Sequence, residues 1–181
     1  MNTKQWIVDV GTDLSTAYPQ LSQAAQLLRE NEVVAFPTET VYGLGANAFS
    51  DEAVHKIYEA KGRPSDNPLI VHIASISKLD EIVQDIPEYA YKLMNEFWPG
   101  PLTLILPKKG DKLSTIVTAG LDTVGVRMPN HPVALKLIQE ADVPIAAPSA
   151  NKSGKPSPTH ASHVYHDLNG KISGIVDGGA T

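Results

Sequence analysis

From Tyr18 to Glu30 the apolar residues Leu21, Ala24, Ala25, Leu27 and Leu28 recur at the i, i+3, i+4, i+7 spacing of an amphipathic helix. Asn31-Glu32 turns the chain, and Val33-Val34-Ala35-Phe36 follows as an unbroken apolar run, the pattern of a strand buried on both faces. Pro37 closes that strand because it donates no ladder hydrogen bond, and the polar Thr38-Glu39-Thr40 comes next. Gly43 and Gly45 read as a loop that needs positive φ or lets a ligand come close. A second helix starts at the capping Ser50, with Asp51 and Glu52 in its first turn and Val54, Ile57 and Tyr58 on its buried face. It ends near Ala60 and delivers Lys61-Gly62-Arg63 into a loop over 64–68. Beyond it the pattern predicts strands over 69–72, 102–106, 123–128, 145–147 and 172–177, and helices over 77–83, 87–97, 131–140 and 159–168. An edge strand over 6–10, with a Gly11-Thr12-Asp13 turn after it, precedes them all.

Strands alternating with helices make this an α/β chain, and 181 residues suit a single domain. Hydrophobic content of 42% against 19% charged residues is that of an ordinary globular protein. No apolar run approaches the ~20 residues that span a bilayer, and the N-terminus lacks a charged region followed by an apolar one. The expectation is therefore a cytoplasmic protein without a membrane partner. Having no cysteine removes disulfides, thiolate nucleophiles and cysteine-ligated zinc. A net charge of −5 argues against broad coating of nucleic acid and leaves room for a local basic cleft.

The familiar nucleotide motifs are missing. Gly43-x-Gly45 lacks the third glycine of the dinucleotide fingerprint, Gly154-Lys155 runs into Pro156, and Gly170-Lys171 runs into Ile172. Lys61 and Arg63, two residues apart where a helix meets a loop, can converge on a multiply charged anion or simply complement the helix C-terminus. Arg127 sits in the apolar run Val124-Gly125-Val126-Arg127-Met128, where it either captures a carboxylate or makes a structural ion pair. Ser149 and Asn151, just past Pro148, are turn formers or ligand contacts. Glu39 and His72 are a possible base and acid, but no third partner for a hydrolase triad is visible. His160, His163 and His166 recur every third residue on a helix, a spacing that drifts around its surface and reads as a solvated face rather than a metal site.

The ordered series PTETVYGLG, KGRPSDNPLIVH, WPGPLT, TAGLDTVGVRMP and APSAN closely resembles the YrdC/Sua5 (YwlC) family of L-threonylcarbamoyladenylate synthases, from about Val33 to the last residue. The resemblance implies a twisted, open, mixed α/β sheet flanked by helices, with a large concave cleft. It also implies a reaction in which L-threonine, bicarbonate and ATP give threonylcarbamoyl-AMP and pyrophosphate, with Mg²⁺ accompanying ATP. The product would feed N6-threonylcarbamoyladenosine formation in tRNA through a downstream threonylcarbamoyl transferase complex, so tRNA is an indirect partner.

Carried over by motif, the ATP contacts fall on Lys61, Arg63, Asn67, Thr123, Ser149, Asn151 and Ser157, with Lys61 and Arg63 as the catalytic cations. The L-threonine contacts fall on Thr40, His72, Arg127 and the backbone at Ala147. Family members continue past Asp177-Gly178-Gly179, and the longer type adds a linker and a second domain, so residues 1–181 are expected to be one synthase domain truncated at its C-terminus. The competing expectations are an RNA-binding module, suggested by Lys108-Lys109 and the Lys152 to Lys155 loop, and a regulatory domain that keeps the cleft without catalysis.

Overall fold

The computed structural model describes residues 2–9, 18–65 and 67–181, so the expected turn at Gly11-Thr12-Asp13 lies outside the described residues. Strands β1 (Lys4–Ile7), β2 (Val34–Pro37), β3 (Tyr42–Asn47), β4 (Val71–His72), β5 (Leu104–Pro107), β6 (Thr123–Arg127), β7 (Ile145–Ala146) and β8 (Gly174–Asp177) form one sheet. Their order is β1-β8-β2-β3-β7-β4-β6-β5. The β1–β8, β2–β8 and β4–β6 pairs are parallel, and the other neighbours are antiparallel. The sheet is thus mixed, as the resemblance implied, and β1 is an edge strand as the sequence predicted.

Helices cover both faces. α1 (Tyr18–Arg29) and α5 (Pro132–Ala141) bury Leu21, Ala24, Leu28, Leu137 and Ile138 against Val34, Phe36 and Ile145. On the other face α2 (Asp51–Lys61), α3 (Glu88–Phe97) and α6 (Ala161–Leu168) bury Val54, Ile57, Met94 and Leu168 with Leu44, Val71 and Val126. Ser50 caps α2 by accepting from the Ala53 amide, and Gly62 closes it at φ 69°, a left-handed turn that glycine adopts without strain.

Several predicted elements change. Gly43 and Gly45 lie within β3, neither at positive φ, so the expected loop is a strand. Gly45 is required by packing: a β-carbon there would fall 2.7 Å from a Phe36 ring carbon and 2.8 Å from a methyl of Ile145. Pro37 stays in the ladder opposite Tyr42 as the last paired residue of β2. The strand expected over 69–72 contracts to Val71–His72, because the Leu69 amide turns to the Val117 carbonyl (2.8 Å) and the Ile70 carbonyl takes the Ala147 amide (3.0 Å). The helix expected over 77–83 is a 3₁₀ helix, Ile76–Glu81, and Pro87 caps α3 from outside instead of opening it. α4 (Thr115–Thr118) went unpredicted, a single turn too short to show helical periodicity.

The sheet is strongly curled, and the curl makes the site. Following the ladder from Pro37↔Tyr42 through Asn47↔Ile145 to His72↔Arg127, Pro37 and Arg127 lie four strands and five residues apart. On a flat sheet that separation would be roughly 25 Å. Yet Glu39, two residues beyond Pro37, is ion-paired with Arg127. Only a curled sheet brings these side chains together, so its face is concave. At the β4-β6-β5 end that face lies open: Ile105, opposite Gly125, is 66% exposed, and Ile70 is 38% exposed beside it.

Candidate active site

Two polar clusters sit on this framework. The first is built on Lys61, the last residue of α2, which is only 2% exposed. An ammonium taken from water must find acceptors, and this one finds three: the Ser149 carbonyl (2.6 Å), the Asn151 carbonyl (2.9 Å) and the Asn151 side-chain oxygen (3.4 Å). Its own carbonyl accepts from the Ser153 amide (2.9 Å). Asn151 is held further, accepting from the Ser149 hydroxyl and donating to the Lys152 (3.0 Å) and Lys155 (2.9 Å) carbonyls. The segment also lies along β3, with the Ala150 amide on the Tyr42 carbonyl (2.8 Å). Lys61 is therefore the hub that fixes the 149–155 turn, with all three ammonium protons engaged. Burial, and the nearby Arg63 charge, push it down to about 8, which leaves it cationic at neutral pH.

Arg63 contrasts with it. Its Nε is buried without a hydrogen-bond partner, and its guanidinium carbon stands 5.5 Å from the centre of the Tyr58 ring. Of the two cations, Arg63 is the one with an unused buried donor among the described residues.

The second cluster gathers where β2, β4 and β6 end. His72 is opposite Arg127 in register, and Arg127 donates through Nε to the Gly100 carbonyl (3.1 Å) and through Nη2 to Glu39. The other Glu39 oxygen accepts from the Asn130 amide (2.7 Å). Arg127 thus makes the structural ion pair that was one of its two readings, and its Nη1 has no protein acceptor among the described residues. Thr38 and Thr40 share a hydroxyl contact (3.0 Å), and Thr181 donates to the Thr40 carbonyl (3.0 Å). The buried Tyr42 phenol, pushed up to about 12 chiefly by burial, donates to the Gly179 carbonyl (2.8 Å) and accepts from the Gly178 amide (3.1 Å). These bonds hold the 178–181 segment against the start of β3.

His72 is 4% exposed, its ring meets the Phe36 ring edge to face at 6.2 Å, and its Nδ1 has no partner. Burial, and then the Arg127 charge, push it down to about 4 from 6.5, so the imidazole is neutral at physiological pH. The sign of the linkage follows. Between pH 6.5 and about 4 the unfolded chain takes up a proton that the folded chain refuses, so stability is lost as pH falls through that window. The loss is roughly 3 kcal/mol. In His72→Leu the slope of unfolding free energy against pH, measured by urea titration from pH 4 to 7, flattens by about one proton.

Of the residues proposed from sequence, the structure joins Lys61 with Ser149 and Asn151, and His72 with Arg127. Ala147 is next to this second group, bonded to the residue two before His72. Asn67, Thr123 and Ser157 are exposed at separate places: Asn67 on the loop after α2 with its carbonyl on the Tyr58 hydroxyl (2.7 Å), Thr123 at the start of β6, and Ser157 in the 152–158 loop. None hydrogen-bonds to the Lys61 cluster among the described residues. His160, His163 and His166 are exposed, and no group of three or more metal-ligating side chains occurs among the described residues. Sequence reasoning missed Glu39 as the partner of Arg127, although its polar triplet beyond a buried strand was a signal. It also missed the Gly100 carbonyl, which only the break at Trp98-Pro99-Gly100-Pro101 hinted at.

These observations define an α/β protein with a curled mixed sheet, a buried lysine with a neighbouring arginine at the end of α2, and an arginine–glutamate pair on the concave face of the sheet. The profile of the Sua5/YciO/YrdC family, which carries the description telomere recombination, matches residues 26–181, and the chain belongs to that family. It is 70% identical over 181 residues to the threonylcarbamoyl-AMP synthase of Bacillus subtilis, an alignment covering 100% of this chain and 52% of that protein. It is 61% identical over 158 residues to the threonylcarbamoyl-AMP synthase of Pyrococcus abyssi, covering 87% of this chain and 46% of that one. A crystal structure of P. abyssi Sua5 complexed with L-threonine matches at a TM-score of 0.91 and 54% identity, over 100% of this chain and 51% of that chain. The chain spans about half the length of these relatives.

Proposed function

We propose that this chain carries threonylcarbamoyl-AMP synthase chemistry, a nucleotidyl transfer in which L-threonine, bicarbonate and ATP yield threonylcarbamoyl-AMP, pyrophosphate and water. The observation that carries the reading is the Arg127 corner, whose Nη1 has no acceptor among the described residues, in a chain 70% identical to a protein of that name. A threonine complex of a close structural relative supports the amino-acid half.

In this reading Arg127 receives the threonine carboxylate through its free Nη1, and Thr40, His72 and the Ala147 backbone surround the rest of the amino acid. Its amine, once carboxylated by bicarbonate to a carbamate with loss of water, presents a carbamate oxygen to the α-phosphorus, and the bond to pyrophosphate breaks. Arg63, Asn67, Thr123 and Ser157 approach the nucleotide from the rim, while Lys61 acts through the Ser149–Asn151 turn that it shapes. Positioning and charge neutralisation are the contributions such a site makes to phosphoryl transfer. Mg²⁺ would arrive bound to the triphosphate and would supply further neutralisation of phosphate charge.

No helix of the described residues is long and apolar enough to cross a membrane. The product would pass to a threonylcarbamoyl transferase complex acting on tRNA. Pyrophosphate release by the full-length protein tests the proposal: it should require L-threonine and bicarbonate together. Nucleotide-independent, salt-sensitive tRNA binding without any release would favour an RNA-binding module instead.

A further inference from the structure

The Glu39–Arg127 pair has features that a simple structural salt bridge does not need. Its two side chains are 10% and 21% exposed, so the pair is neither sealed in the core nor solvated. Backbone groups fix both partners from behind, the Gly100 carbonyl on Arg127 (3.1 Å) and the Asn130 amide on Glu39 (2.7 Å). Arg127 keeps Nη1 unused among the described residues, and the adjoining His72 has a buried Nδ1 with no partner. Burial leaves His72, and His131 near Glu39, less basic than an ordinary histidine, so neither adds charge at neutral pH. The corner therefore presents one fixed positive and one fixed negative charge side by side, with no net charge.

We propose that Glu39 is a specificity-determining residue that takes the α-ammonium of the substrate, so that with Arg127 it reads a free amino acid as a zwitterion. The proposal rests on the threonine-site reading given above. A ligand bearing only a carboxylate meets attraction from Arg127 and repulsion from Glu39, and one bearing only an amine meets the reverse. A ligand carrying both charges on neighbouring atoms satisfies each partner, and because the pair is already held in place little side-chain ordering is required on binding. No rearrangement of the pair is needed, since Arg127 offers a nitrogen that Glu39 does not use.

Calorimetric titration of the full-length protein with L-threonine and with the matching 2,3-dihydroxybutanoate, in which a hydroxyl replaces the ammonium, tests this. The unaltered protein should prefer L-threonine by at least about tenfold, the scale of one charged hydrogen bond. Glu39→Gln, which keeps the side-chain length and one of the two acceptor oxygens but removes the charge, should bring the two affinities within about threefold by weakening L-threonine and sparing the hydroxy acid. Equal affinities in the unaltered protein, or a preference unchanged in Glu39→Gln, overturns the role of Glu39 while leaving the synthase reading intact. An unaltered protein that binds neither compound overturns the synthase reading and this proposal with it. The comparison within the unaltered protein needs no variant, so equal affinities there overturn the proposal even if Glu39→Gln fails to fold.

Discussion

Lys61→Met should reduce threonine- and bicarbonate-dependent pyrophosphate release by a hundredfold or more, on the order of 3 kcal/mol in the barrier, and lower the stability of the fold at the same time. Methionine replaces the four-atom aliphatic stem of lysine and lacks the terminal nitrogen, so the change removes the ammonium and little else. The carbonyls of Ser149 and Asn151 then lose the donor that satisfied them, and the Asn151 side-chain oxygen keeps only the Ser149 hydroxyl, around a side chain only 2% exposed. Unsatisfied buried acceptors cost about 1–3 kcal/mol each, and partial relaxation of the turn holds the total to roughly 3–5 kcal/mol. That is a large share of the 5–15 kcal/mol typical of a domain, so urea unfolding should show a clearly lower midpoint. Because the turn from 149 to 155 is tied to Lys61 and Asn151, activity should fall even under conditions where the variant remains folded. Arg63→Gln provides the contrast: loss of nucleotide affinity with a midpoint near that of the unaltered protein, since its Nε has no hydrogen-bond partner among the described residues and the contact with the Tyr58 ring is worth about 1 kcal/mol or less.

Arg127→Leu should weaken L-threonine binding by about a hundredfold or more while leaving nucleotide affinity within a few-fold, the scale of losing a charge-assisted contact. The side chain is 10% exposed and holds Glu39, so its removal strands a half-buried carboxylate beside a neutral histidine. The double variant Arg127→Leu/Glu39→Leu should recover part of the lost stability without recovering threonine binding, because removing both charges eliminates the unpaired one. Thermal unfolding and calorimetry on the two variants separate the structural from the binding role of the pair.

The α/β class, the edge position of β1 and the bounds of α1, α2 and α5 to within about two residues were legible because local periodicity and capping residues carry them. Gly43 and Gly45 misled because glycine signals both a turn and a close approach: Gly45 is small so that Phe36 and Ile145 can meet across β3, a fact about residues far apart in sequence. The site was half legible for the same reason. The residue types at Lys61, Arg63 and Arg127 announced charge chemistry, and the motif series placed them in a family. That Lys61 would turn inward to three oxygens, and that Glu39 would cross the curl of the sheet to Arg127, depends on tertiary geometry no local pattern encodes.

The claim that this concave face carbamoylates and adenylates threonine is tested most directly by supplying ¹³C-bicarbonate with L-threonine and ATP to the full-length protein and identifying the products by mass spectrometry. The account predicts a labelled threonylcarbamoyl adenylate formed in equal amount with pyrophosphate. Pyrophosphate appearing without the labelled adenylate, or no turnover with all three substrates present, would contradict it.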